Sequence, residues 1–174
     1  AWAVEWALAG SDSYKGIGIQ LDDTLGVAWG AGTYGVAVYR IGKGKLDGFW
    51  TSVDEKGALG TEDSVLEGTD DLNGVYKITR GTSATGGRRY SGTMTVKPRG
   101  EVYAVRWALA RESFDGVGVR QGDVFVVGWG GDGGGGSGVA AYRVKERGTL
   151  EGRWATPAGT RLGSESLVMT APNQ

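Results

Sequence analysis

Six segments of this chain occur twice, in the same order and at an offset that stays between 100 and 104 residues. Residues 2–8, WAVEWAL, correspond to residues 103–109, YAVRWAL. Residues 14–20, YKGIGIQ, correspond to 114–120, FDGVGVR, and 23–30, DTLGVAWG, to 123–130, DVFVVGWG. Further on, GVAVYRI at 35–41 returns as GVAAYRV at 138–144. GKLDGFW at 44–50 returns as GTLEGRW at 148–154, and LGTE at 59–62 as LGSE at 162–165. Shared compositional bias does not keep six segments in order, so the chain reads as a duplicated unit.

The copies differ in length. The second begins near Asn73 with NGVYKIT and continues through YSGTMTVKPRG at 90–100, for which the first copy has no counterpart. Trp2 aligns with Tyr103, so roughly 29 residues of the unit have no equivalent in copy one. Three explanations are open: a fragment or processed form, strands supplied by a partner chain, or a shorter first module. The first is preferred, because Ala1 falls directly inside a strand-like segment.

Within each copy the apolar residues alternate, and a period of two is the signature of a strand. Trp2, Val4, Trp6 and Leu8 share one face, as do Tyr103, Val105, Trp107 and Leu109. Leu25, Val27 and Trp29 repeat as Phe125, Val127 and Trp129, and Leu46, Gly48 and Trp50 as Leu150, Gly152 and Trp154. Between these runs lie tight turns such as Leu21-Asp22-Asp23, Gln121-Gly122-Asp123 and Gly42-Lys43-Gly44. Copy two carries about eight strands, near 74–79, 90–96, 102–109, 114–120, 123–129, 138–144, 149–154 and 162–168, and copy one about six. The expected fold is all-β. It consists of two tandem antiparallel meander β-barrel modules, residues 1–68 (lacking its first strands) and 72–170, joined around 67–73. A barrel is preferred to a sandwich because closure removes exposed edges. Glycines 16, 18, 116 and 118 within strands fit barrel bends or close packing beneath a tryptophan.

Composition then removes several chemistries. The chain has no His and no Cys, which excludes a Ser-His-Asp triad, a cysteine nucleophile and any His or Cys zinc site. A net charge of −1 leaves no broad basic footprint for nucleic acid, and no apolar run is long enough to cross a membrane as a helix. Asp22 and Asp23 are neighbours in a turn and point apart, and Glu5 becomes Arg106 in the second copy, so no shared pair of catalytic carboxylates emerges. The stretch GGDGGGGSG at 130–138 is followed by a strand and has no adjacent Lys, so it reads as a flexible hairpin loop and not as a phosphate cradle. Arg88 and Arg89, with Lys97 and Arg99 nearby, form a small basic cluster of solvated turn charges. No enzyme activity, cofactor or metal is expected.

Two sets of residues are candidates for a site. Trp6, Trp29, Trp50, Trp107, Trp129 and Trp154, with Tyr39 and Tyr142, either fill the barrels as core or line a ligand cavity. Arg40 and Arg143 follow the repeated tyrosines, and Glu62 and Glu165 recur in the last segment. If Val36 and Val38 point inward, Arg40 does too and needs a partner, giving the expected pairs Arg40–Glu62 and Arg143–Glu165. If Tyr39 points inward, Arg40 faces solvent.

A module opening with Gly74-Val75-Tyr76 and continuing as a meander of about eight strands resembles the calycin barrels, a group that includes lipocalins and avidins. Its members open with Gly-x-Trp, where this chain has Tyr76, and often pack a cation over that ring. The repeat unit is also similar to small uncharacterised exported bacterial proteins with segments like YSGTMTV, GVAVYRI and LDGFW. That resemblance implies a barrel-like domain and export to the periplasm or the extracellular space, and brings no chemistry with it. The expected function is a non-enzymatic module that binds a protein partner, self-assembles or serves as a structural subunit. The alternative is a carrier of a small apolar ligand in the Trp-lined interior.

Overall fold

The computed structural model describes residues 1–10, 13–66, 72–130 and 136–168. Most of the 67–73 connection and of the Gly-rich 130–138 stretch therefore lies outside the described residues, as does the end of the second expected module. The first half of the chain contributes β1 (Trp2–Ala7), β2 (Ser13–Leu21), β3 (Thr24–Trp29), β4 (Tyr34–Gly42), β5 (Lys45–Ser52) and β6 (Gly60–Leu66). The second contributes β7 (Gly74–Thr82), β8 (Arg89–Arg99), β9 (Val102–Leu109), β10 (Ser113–Gln121), β11 (Val124–Gly130), β12 (Gly138–Val144), β13 (Thr149–Ala155) and β14 (Gly163–Val168). The all-β expectation holds: helical structure among the described residues is limited to two short 3-10 turns. The β2–β3 and β10–β11 reversals sit at matched places, with positive φ at Asp22 (54°) and Gly122 (59°).

These strands form two antiparallel sheets. One is a closed eight-stranded barrel in the order β10-β11-β4-β5-β6-β7-β8-β9. The other is an open, curled six-stranded sheet in the order β1-β2-β3-β12-β13-β14. Modules closing separately would pair β3 with β4 and β11 with β12. Instead β11 pairs with β4, through Val126↔Val38, and β3 pairs with β12, through Val27↔Ala140. Each sheet thus mixes strands from both halves of the chain. The 67–73 connection separates β6 from β7, which are paired neighbours in the barrel.

Burial explains this arrangement. Val36, Val38, Val124 and Val126 point out of the barrel and meet Ile19, Ala28, Val139 and Ala141 of the open sheet in one buried cluster. The strands carrying these residues are apolar on both faces, because one face lines a sheet interior and the other lies between sheets. The barrel interior is a second cluster, with Tyr39, Leu46, Tyr76, Met94, Val105, Trp107, Phe125 and Val127. A third lies on the concave face of the open sheet, around Trp6, Val27, Ala140, Tyr142 and Leu150.

A recurring contact accounts for the pairing of abundant Gly with abundant Trp. A Cβ built on Gly35 would come within 2.2 Å of the Trp129 ring, and one on Gly60 within 2.3 Å of Trp50. In the open sheet, Gly138 lies under Trp29 at 2.3 Å and Gly163 under Trp154 at 2.1 Å. Each indole lies flat over a cross-strand glycine, so the ring follows the sheet surface instead of standing out from it. Trp6 and Trp107 approach the diagonal glycines Gly16 and Gly116 less closely, at 2.9 and 3.0 Å, and Gly118 lies beneath Phe125.

Candidate functional site

Alternation along β4 places Ala37 and Tyr39 inside the barrel and Arg40 outside. Arg40 meets the Asp22 carboxylate at 2.8 Å, and Arg143 approaches Asp23 at 3.9 Å. The expected Arg40–Glu62 and Arg143–Glu165 pairs are therefore corrected. Register decides the matter: the residue beside each arginine, Tyr39 or Tyr142, faces the glutamate, and the arginine faces the β2–β3 turn.

Glu62 is 4% exposed on β6 and is the organising group of the barrel interior. Its Oε1 accepts hydrogen bonds from Tyr39 Oη at 2.7 Å and Trp107 Nε1 at 2.9 Å. Its Oε2 accepts one from Tyr90 Oη at 2.6 Å. Three donors from β4, β8 and β9 converge on this one side chain. In the open sheet, Glu165 Oε2 accepts from Tyr142 Oη at 2.8 Å, and Trp6 Nε1 donates to Tyr142 Oη at 3.2 Å.

Above Glu62 a cavity of about 310 Å³ opens towards the β7–β8 and β9–β10 turns. Its buried end holds Ala37, Tyr39, Glu62 and Trp107, its walls are Trp50, Tyr90, Phe114 and Trp129, and its rim includes Arg88, Arg89 and Glu112. The wall rings support one another edge to face. Trp50 meets Trp129 at 6.4 Å and Tyr90 at 6.5 Å, and Phe114 tilts against Trp129 at 5.5 Å. Trp50 is further fixed by donating its indole N–H to the Thr82 carbonyl at 3.1 Å. The other end of the barrel is filled by Leu66, Leu72, Tyr76 and Met94, with Tyr76 Oη donating to the Leu72 carbonyl.

The eight aromatic candidates thus divide by sheet. Tyr39, Trp50, Trp107 and Trp129 line the cavity. Trp6, Trp29 and Tyr142 belong to the concave face of the open sheet, and Trp154 is 38% exposed. Tyr90, Phe114 and the rim arginines complete the cavity and were not singled out from sequence as lining residues. Tyr90 and Phe114 do alternate in phase with Met94 and Gly116, which was the available signal.

Burial, followed by the negative charge of Glu62, raises the phenol of Tyr39 well above its usual 10.0, and raises Tyr90 likewise. Tyr142 is raised by burial and by its bond to Glu165. Above pH 10 the unfolded chain releases these three protons while the folded chain keeps them. Stability is therefore intact below pH 10 and falls as pH rises beyond it. In an alkaline titration followed at the phenolate absorbance, these three tyrosines are expected to ionise only together with loss of the β-sheet circular dichroism. Ionisation of all seven tyrosines in a chain that stays folded would contradict the buried network.

No family model matches the chain, and neither does any curated protein or solved structure. The chemistry of the site must therefore be read from its geometry.

Proposed function

We propose that the protein is a non-enzymatic binding protein whose closed barrel takes one small, flat, largely apolar molecule through the aromatic mouth. The ligand presents a protonated amine or other N–H donor to Glu62. The observation that carries this reading is the imbalance at the carboxylate. Among the described residues Oε1 takes two donors and Oε2 one, on a group that also lines the cavity. A carboxylate oxygen accepts two hydrogen bonds, so Oε2 has capacity for one donor from a ligand. Aromatic walls favour a flat body and reinforce a cationic head through their π faces. A volume of about 310 Å³ lies at the small end of ligand cavities, which suits a molecule of one or two fused rings.

The test is calorimetric titration with 2-naphthylmethylamine, 2-naphthylmethanol and 2-naphthoate. The amine is expected to bind most tightly and the acid least, and Glu62→Gln to reduce the amine's advantage by about tenfold, the worth of one charge-assisted hydrogen bond. Tightest binding of the acid would transfer the recognition to Arg88 and Arg89 and overturn the amine orientation. Absence of binding by all three would overturn the cavity reading.

A protein-binding role draws on a separate observation. The six-stranded sheet ends in β1 and β14, whose outer edges pair with no further strand among the described residues.

A further inference from the structure

The two sheets share a register, so the closed one shows what the open one lacks. In the barrel, β9 pairs with β10 through Trp107↔Phe114 and Val105↔Gly116. In the open sheet, β1 pairs with β2 through Trp6↔Tyr14 and Val4↔Gly16. Likewise Gly48↔Glu62 joins β5 to β6, and Gly152↔Glu165 joins β13 to β14. Each strand of the open sheet therefore has its counterpart in the barrel, and two barrel strands, β7 and β8, have none in the open sheet among the described residues. These two bridge β6 to β9, whose counterparts are the outermost strands β14 and β1.

Exposure differs at the ends of the matched strands and not at their centre, where Trp6 is 9% exposed and its counterpart Trp107 5%. Val105 and Trp107, covered by β8, are 2% and 5% exposed. On the uncovered β1 edge, Trp2 is 58% exposed and the following Leu8 48%. Their counterparts Tyr103 and Leu109 pair with Pro98 and Gly92 of β8 and are only half-buried. Edge strands whose outer backbone groups lack a ladder partner are templates for strand addition. The glutamates agree. Glu62 is held by three donors, one of them Tyr90 of β8, whereas among the described residues Glu165 accepts from Tyr142 alone.

We propose that the open sheet takes an antiparallel β-hairpin of the β7–β8 kind between β14 and β1, with a tyrosine at the Tyr90 position donating to Glu165. The occupant is defined by chemistry. Its first strand places an aliphatic residue at the Ile78 position against Leu167. Its second places apolar residues at the Met94 and Val96 positions against Trp6 and Val4. The addition turns an open sheet into a second closed barrel. It is independent of the naphthyl-ligand reading, which concerns the other sheet.

The test uses the chain's own hairpin. A peptide of residues 73–100 is titrated into the protein while amide hydrogen exchange is followed along β1 and β14. The expected result is saturable one-to-one binding with slowed exchange on both edges. Tyr90→Phe in the peptide, or Glu165→Gln in the protein, should weaken it by about tenfold. A second protein, with residues 73–100 joined ahead of Ala1 by a Gly-Ser linker, removes any dependence on the peptide's solubility. Unprotected edges in both formats would overturn the proposal. So would edge protection that rises with protein concentration without peptide, which would make a second copy of the chain the occupant.

Discussion

Gly48→Ala is expected to destabilise the protein by about 3 kcal/mol, at the upper end of the cost of overpacking a core. A Cβ at this position would stand 2.0 Å from the Val38 carbonyl oxygen and 2.8 Å from Tyr39 Cα. Both obstacles are backbone, so no rotamer change relieves them, and β4 and β5 must separate. That separation also disturbs Tyr39, whose hydroxyl is bound to Glu62. The same substitution at Gly42, on the same pair of strands, meets only the Lys45 side chain, which can swing away. Gly42→Ala should cost less than about 0.5 kcal/mol, within the range of ordinary surface changes. Urea unfolding of the two variants checks the contrast, and equal midpoints would contradict the packing described.

Glu62→Leu should cost about 3 to 5 kcal/mol, because it leaves buried donors without an acceptor. Tyr39 Oη and Trp107 Nε1 both lose Glu62 Oε1 in the barrel interior. Tyr90, nearer the mouth, can turn to solvent. Glu165→Leu removes one acceptor from a half-buried site and should cost about 1 kcal/mol. Equal costs at the two positions, measured by urea unfolding, would mean that Glu62 does not organise the barrel.

The strands were legible in the sequence because period-two alternation and turn residues are local properties. The eight segments expected in the second half all became β7 to β14, with differences confined to their ends. Which strands pair was not legible in the same way. The repeat suggested that each half closes on itself, yet equivalent strands are interchangeable, and β4 fits beside β11 as well as β12 fits beside β3. A signal of the exchange was present in GVAVY, VFVV and GVAA, which are apolar at consecutive positions. Reading them as one-faced strands left open whether Val36 or Ala37 points inward. In fact both are buried, on opposite faces, because the outer face is covered by the other sheet.

The same ambiguity misdirected the charge pairs. Once both faces of β4 are apolar, the direction of Arg40 cannot be inferred from its neighbours, and charge complementarity alone favoured Glu62. The fold pairs Glu62 with the tyrosine beside the arginine, because a phenol can enter a buried interior at far lower cost than a guanidinium. Six repeated tryptophans were legible as a set. Their division into cavity wall and open sheet depended on the strand exchange and on β7 and β8, whose Tyr90 completes only one of the two glutamate sites.

A ligand held in the closed barrel between the aromatic walls and Glu62, as we propose, would be sensed directly by the indoles that line the cavity. Seven tryptophans give seven indole N–H resonances, and no histidine signal overlaps their interpretation. With the resonances assigned by single Trp→Phe variants, titration of 2-naphthylmethylamine should shift Trp50, Trp107 and Trp129 together and saturably, and leave Trp2 and Trp154 in place. Shifts confined to Trp6 and Trp29 of the open sheet, or no saturable shift at any indole, would contradict the account.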